Sequence, residues 1–172
     1  MKKILIASIL YISCFIVGCS SEKDDLYSEI KSIEKVLLSD INKVNDSLAM
    51  VYAGKCENFA DRYPDDAQSP ELLFKAGEVL SGINRYHLSI RKFQDVYLRY
   101  PKYPKRAESI FLCAFIYETN LQNYDEAKFH YEMFLKEYPK HPLAKDAELS
   151  IQNLGKSPEE LVSEFELKND TL

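Results

Sequence analysis

The apolar positions of this chain fall on helical spacings almost throughout. The clearest run is Tyr124, Ala127, Tyr131, Leu135 and Tyr138, at i, i+3, i+7, i+11 and i+14, which sets five side chains on one helix face. Pro139 follows and ends the helix, because proline lacks an N–H and crowds the preceding turn. Earlier, Leu26, Ile30, Ile33 and Leu37 run at i, i+4, i+7 and i+11, and Ile41, Val44, Leu48 and Val51 continue the period. Ser39-Asp40 and Asn45-Asp46-Ser47 offer N-caps inside that stretch. It reads as two helices or as one long bent helix.

From Asp46 onward the pattern repeats. Tyr-Pro recurs at Tyr63, Tyr100 and Tyr138, 37 and 38 residues apart. Seven residues before each tyrosine stand Cys56, Phe93 and Tyr131; four before stand Phe59, Val96 and Phe134; eleven before stand Tyr52, Ser89 and Ala127. The first copy swaps large and small, with Ala49 and Tyr52 where later copies have a tyrosine and then a small residue. Asp46–Tyr63 therefore reads as a lone terminal helix, since end units of stacked repeats are atypical. Pro70, Pro104 and Pro142 are each expected at a first helical position, where the missing N–H costs nothing. The helices they open carry Leu73, Ala76, Gly77 and Leu80; then Ile110, Ala114, Tyr117 and Leu121; then Ala147, Ile151 and Leu154, closed by Gly155. Ser157-Pro158-Glu159-Glu160 spells a capping box, and Leu161, Val162 and Phe165 would give one apolar face to a helix covering the end of the stack.

These residues resemble the tetratricopeptide repeat, a helix pair of about 34 residues in which large and small side chains interlock. The resemblance covers about Asp46–Leu154. Leu73, Gly77, Leu80, Ser89, Phe93 and Pro101 follow the family pattern without a gap. Ala114, Tyr117, Ala127, Tyr131 and Pro139 follow it with one residue inserted in the turn Thr119–Asn123. The usual tryptophan is absent and the period is longer than the family's. The fold implied is all-α, a helix–turn–helix α-solenoid. The family's first helices line a concave groove, which by resemblance brings together Glu71, Phe74 and Glu78 with Phe111, Phe115 and Glu118. Such a groove suits a peptide or helix carrying apolar and basic residues. The eight apolar residues Ile110–Tyr117 cannot all face one side of a helix. Either that helix is packed on several sides, or Phe111 or Phe115 stands exposed.

The first residues have a different character. Lys2 and Lys3 precede an apolar run from Ile4 to Val17, too short for the roughly 20 residues of a membrane-spanning helix. A basic head, a short apolar run and small residues form an export leader; the rival reading is a short anchor helix. Ile16-Val17-Gly18-Cys19 resembles the bacterial lipoprotein cleavage motif. That resemblance implies removal of 1–18 and lipid on Cys19, with several acyl chains holding the protein to a membrane. Ser20 stands where an aspartate retains many enteric lipoproteins in the inner membrane, so the outer membrane is expected. The periplasmic face is favoured, although Lys23-Asp24-Asp25 resembles the surface-export signal of some Bacteroidota lipoproteins. The expected organisation is leader 1–18, lipidated Cys and polar tether 19–25, N-terminal helix 26–45, repeats 46–154, capping helix 155–167 and tail 168–172.

Charge and chemistry narrow the function. The chain of 172 residues has 22 basic and 27 acidic residues, and losing Lys2 and Lys3 with the leader takes its formal charge from −5 to −7. An acidic balance argues against nucleic acid, whose phosphates need clustered Lys and Arg. There is no Gly-rich phosphate loop and no metal-ligand spacing, so no metal and no cofactor are expected. His87, His130 and His141 stand alone, and His130 reads as a partly exposed helix residue. Cys56 and Cys113, with two helices between them, read as buried free thiols. The expectation is a non-catalytic scaffold that binds an envelope protein or peptide. It looks most like the repeat lipoproteins of bacterial envelopes, of which the nearest type is the D subunit of the outer-membrane β-barrel assembly machine. The alternatives are a surface lipoprotein accessory to nutrient uptake, a self-assembling structural lipoprotein, and an enzyme whose site is assembled from distant residues.

Overall fold

A computed structural model describes residues 22–39, 45–157, 159–160 and 162–163. The leader, Cys19, Leu161, Phe165 and the tail 168–172 lie outside them. Every regular element among the described residues is helical. Helix α1 covers residues 22–39. It is followed by α2 (Asp46–Arg62), α3 (Ser69–Gly82), α4 (Tyr86–Arg99), α5 (Arg106–Thr119), α6 (Tyr124–Glu137) and α7 (Ala144–Asn153). None of these is long and apolar enough to cross a membrane. The helices form two compact units, Met1–Ile83 and Asn84–Leu172.

The Tyr-Pro motif makes the same turn three times. Tyr63, Tyr100 and Tyr138 leave the helix at φ −130, −124 and −127, because a residue before proline is driven out of the helical region. Each tyrosine N–H still bonds back four residues, to Phe59, Val96 or Phe134. Each tyrosine carbonyl then accepts from the residue three ahead, and that residue's carbonyl accepts from the next three ahead. The chains are Tyr63–Asp66–Ser69, Tyr100–Tyr103–Arg106 and Tyr138–His141–Ala144, with every bond between 2.9 and 3.0 Å. This double turn corrects one expectation. Pro104 and Pro142 fall inside it, two residues ahead of Arg106 and Ala144, and only Pro70 lies in the first turn of its helix.

In the first unit, α2 and α3 pack together through Tyr52, Cys56, Phe59 and Leu72, Leu73, Leu80, all at most 2% exposed. Each of these leucines and the phenylalanine contributes about 1.5–3 kcal/mol by leaving water. Helix α1 adds Ile30 and Leu37 and is tied down along its length. Glu22 meets Arg62 at 2.6 Å, Lys23 meets Asp66 at 2.8 Å and Glu29 meets Lys55 at 2.8 Å. The Tyr27 ring lies 5.9 Å from Phe59. Residues 22–25, expected in a polar tether, are helical, and Glu22 and Lys23 find partners on α2 and on the α2–α3 turn. For the same reason α2 is not a lone terminal helix. It also starts afresh: Asn45 is extended (φ −77, ψ 106), and its side chain accepts from Leu48 N as an N-cap.

In the second unit, α4, α5, α6 and α7 pack each on the next. Phe93, Ile110, Cys113, Tyr131 and Phe134 fill the core, and fully buried Ala114 and Ala127 let backbones approach. The residue inserted in the α5–α6 turn is absorbed by wider bonds. Leu121 N reaches Ile116 O, Asn123 N reaches Tyr117 O, and Gln122 takes φ +50. At the far end Gly155 has φ +75, a backbone conformation that calls for glycine, and a Cβ there would rest in ordinary contact with the Tyr124 ring at 3.4 Å. The capping box forms reciprocally: Ser157 N donates to Glu160 at 2.7 Å and Glu160 N to Ser157 Oγ at 3.2 Å.

Candidate functional site

The apolar run of α5 divides by helical angle. Ile110, Cys113, Ala114 and Ile116 are buried, Phe111 and Leu112 are half-buried, and Phe115 is 45% exposed. Phe111 is held edge-on by Tyr131 and Phe134, with centroids at 5.4 and 5.5 Å. Glu118, one turn beyond Phe115, accepts a 2.7 Å hydrogen bond from the fully buried Tyr131 hydroxyl. Burial drives the Tyr131 phenol upward against a hydrogen bond from Ser150, and the Glu118 carboxylate adds to the rise, so at neutral pH the phenol is a fixed donor. The result is one solvent-facing aromatic ring beside a carboxylate whose position is set from behind. Such a pair can pack an apolar side chain and meet a basic one.

The candidates on α3 belong to the first unit. Glu78 is exposed, and Glu71 is half-exposed, 3.8 Å from Lys75. Phe74 is only 4% exposed and is corrected from a groove residue to a core residue. The cause is in the run Leu72-Leu73-Phe74: helix α3 is covered on more than one side, and all three are buried.

His130 also departs from expectation, at 4% exposure. Its Nδ1 lies 2.8 Å from the Glu126 carbonyl and its Nε2 3.4 Å from the Gln94 amide, while Tyr117 and Phe129 pack on the ring at 5.2 and 5.3 Å. The carbonyl sets the tautomer, with Nδ1–H donating to it. Gln94 and Tyr117 come from α4 and α5, so neighbouring residues in sequence carry no sign of this cluster. Among the described residues no group of three His, Cys, Asp or Glu side chains is placed to hold a metal. Cys56 and Cys113 are free and buried.

Sequence reasoning missed a second cluster altogether. Arg106, at the start of α5, donates through Nε to the Tyr97 carbonyl at 2.8 Å and through Nη1 to Glu137 at 3.0 Å and to the Tyr138 hydroxyl. Tyr97 donates its hydroxyl to Glu137, and burial followed by that carboxylate pushes its phenol up to about 12. The cluster joins α4, α5 and α6 beside the two Tyr-Pro turns of this unit. Its only advance signal is an arginine where the other copies have Ser69 and Ala144.

No curated protein matches the chain. A family model described as tetratricopeptide repeat matches residues 108–141, which take in nearly all of α5, all of α6 and the following turn as far as His141. The chain, whose described elements are all helical, thus carries a tetratricopeptide-type helix pair at residues 108–141, the pair that displays Phe115.

Proposed function

We propose that the protein is a non-catalytic interaction scaffold, held on the periplasmic face of an outer membrane by lipid on Cys19. Its α5 face takes an envelope protein or peptide that presents an apolar side chain with a basic one. The observation that carries this reading is Phe115: it lies in the repeat-matched helix pair and, at 45% exposure, is the most exposed residue of the apolar run Ile110–Tyr117. Aromatic side chains, phenylalanine among them, are enriched at protein interfaces over the rest of the surface. The leader and the Ile16–Cys19 motif support the anchor. The surface-export alternative draws less support, since Lys23 is paired with Asp66 and only Asp24 and Asp25 of the triplet stay exposed. A role in outer-membrane protein assembly rests on resemblance to one repeat lipoprotein.

The test is a photo-crosslinking residue at position 115 in the native envelope, with Phe115→Ala crosslinked from position 112 as control. Capture of one defined partner that is lost in Phe115→Ala supports the reading. Equal capture in both forms places binding elsewhere. Palmitate labelling of the wild type and of Cys19→Ala tests the anchor separately.

A further inference from the structure

The chain is acidic as a whole, but its charge is unevenly placed in the second unit. Residues 98–106, LRYPKYPKR, carry Arg99, Lys102, Lys105 and Arg106 and no acid. Residues 136–145 add Lys136, Lys140 and Lys145. The structure puts these two stretches side by side: Arg106 bonds Glu137 and Tyr138, and His141 Nε2 lies 3.7 Å from Glu108. Both Tyr-Pro turns of the unit thus form one edge, from which Arg99, Lys102, Lys136, Lys140 and Lys145 are exposed. Glu137 is occupied by Arg106 and Tyr97, Glu108 faces His141, and Asp146 follows Lys145 in sequence. Leu98, in the last turn of α4, is 72% exposed at the same edge. The α5–α6 turn lies at the other end of 14-residue helices, about 21 Å away, and between 118 and 126 it has Glu118, Asp125 and Glu126 with no basic residue.

We infer that this turn edge of the second unit is a docking surface for an anionic lipid bilayer. Clustered lysines draw a protein to anionic headgroups within a Debye length, and an exposed leucine among them enters the headgroup boundary rather than facing water. The leucine favours a bilayer over a nucleic acid, whose backbone offers it nothing. The inference goes beyond the partner-binding reading and does not depend on lipid at Cys19.

Lysine footprinting of the full chain tests it. The chain is mixed with vesicles of phosphatidylcholine, or of phosphatidylcholine with phosphatidylglycerol, and acetylated with a water-soluble reagent. Rates are read by peptide mass spectrometry against Lys128, which is exposed on the outer half of α6. On anionic vesicles Lys102, Lys140 and Lys145 slow relative to Lys128 by about fivefold or more, the effect of one cation near such a surface. High salt or neutral vesicles remove the difference. In Lys102→Glu/Lys140→Glu, Lys145 loses its shielding. Edge lysines that track Lys128 on both vesicle types overturn the inference, as does shielding by duplex DNA without shielding by anionic vesicles. Vesicle retention is measured in the same samples. Retention without shielding overturns the edge and leaves the Cys19 anchor standing.

Discussion

The guanidinium of Arg106 lies 4.1 Å from the centroid of the Tyr97 ring and donates through Nε to the carbonyl of the same residue at 2.8 Å. One side chain therefore fastens the end of α4 to the start of α5, and through Glu137 and Tyr138 to the end of α6. Glu137 is over a third exposed, so solvent screens its part; the carbonyl and ring contacts carry more. Arg106→Ala is expected to cost about 2 kcal/mol, the range for a charge-assisted hydrogen-bond set. Arg106→Lys should recover less than half, since an ammonium cannot meet carbonyl, carboxylate and phenol in one plane. Urea midpoints at constant m-value measure both. A lysine variant as stable as wild type would mean that charge alone matters.

Glu34 on α1 is 8% exposed and bonded to Lys75 at 2.6 Å and to Lys31. Burial pushes its carboxyl up, but the hydrogen bonds from Lys31 and then Lys75 win and hold it below the usual range. A depressed carboxyl stabilises above the unfolded value, about 4.3 for glutamate, and that share is lost as pH falls through the folded value. Glu34 also leads in raising Lys75, so the lysine's share is present below about 10.4 and is lost as pH rises through its folded value. Glu34→Gln should be less stable than wild type near neutrality, with the gap closing as pH falls below about 4.3 and through the depressed folded value. Denaturant midpoints across that range decide it, and a gap that stays constant with pH would rule out the ion pair as its source.

Phe74 and Phe115 should separate stability from binding. Phe74→Ala empties a buried site and is expected to cost roughly 3–5 kcal/mol. Phe115→Ala removes a ring already 45% in water and should cost under about 1 kcal/mol, in the manner of surface changes. Thermal melts of the two variants test this. If Phe115→Ala unfolds as readily as Phe74→Ala, position 115 is structural and cannot serve as the binding control.

Much of this architecture is legible because its causes are local. Tyr63, Tyr100 and Tyr138 end helices through a steric clash with the next residue, and that clash needs no tertiary contact. The large and small slots at Phe93, Ala127, Tyr131 and Phe134 follow from helical period alone. Where distant partners decide, the sequence is mute. Residues 22–25 look like a solvated spacer until Arg62 and Asp66 are seen opposite them. Phe74 and Phe115 look alike as apolar residues on first helices, and only the number of covered sides tells them apart. Pro104 reads as a helix opener because no residue after Tyr-Pro marks where the carbonyl-to-amide relay ends and the next helix begins. Net charge hid the lysine edge, since a total carries no positions.

The thiols should be inert in the native protein. Burial pushes Cys56 up to about 12 and pushes Cys113 up as well, and the Cys113 sulfur faces the Ile90 carbonyl at 3.7 Å. Peptide mapping after alkylation should find both unmodified in native protein and both modified after denaturation. Rapid native labelling of Cys113 would contradict its burial. Failure of both to label after denaturation would reveal a disulfide.

The repeated Tyr-Pro turn also bears on how such a chain changes length. The stretch from Pro101 to Tyr138 begins and ends in the same hydrogen-bonded double turn, so a tandem duplication of it creates a junction whose backbone the protein already makes. The third turn residue, Asp66, Tyr103 or His141, differs at every copy while the amide relay stays constant. Copy number can therefore grow by whole units while that one side chain drifts, giving each new copy a different contact without a new fold.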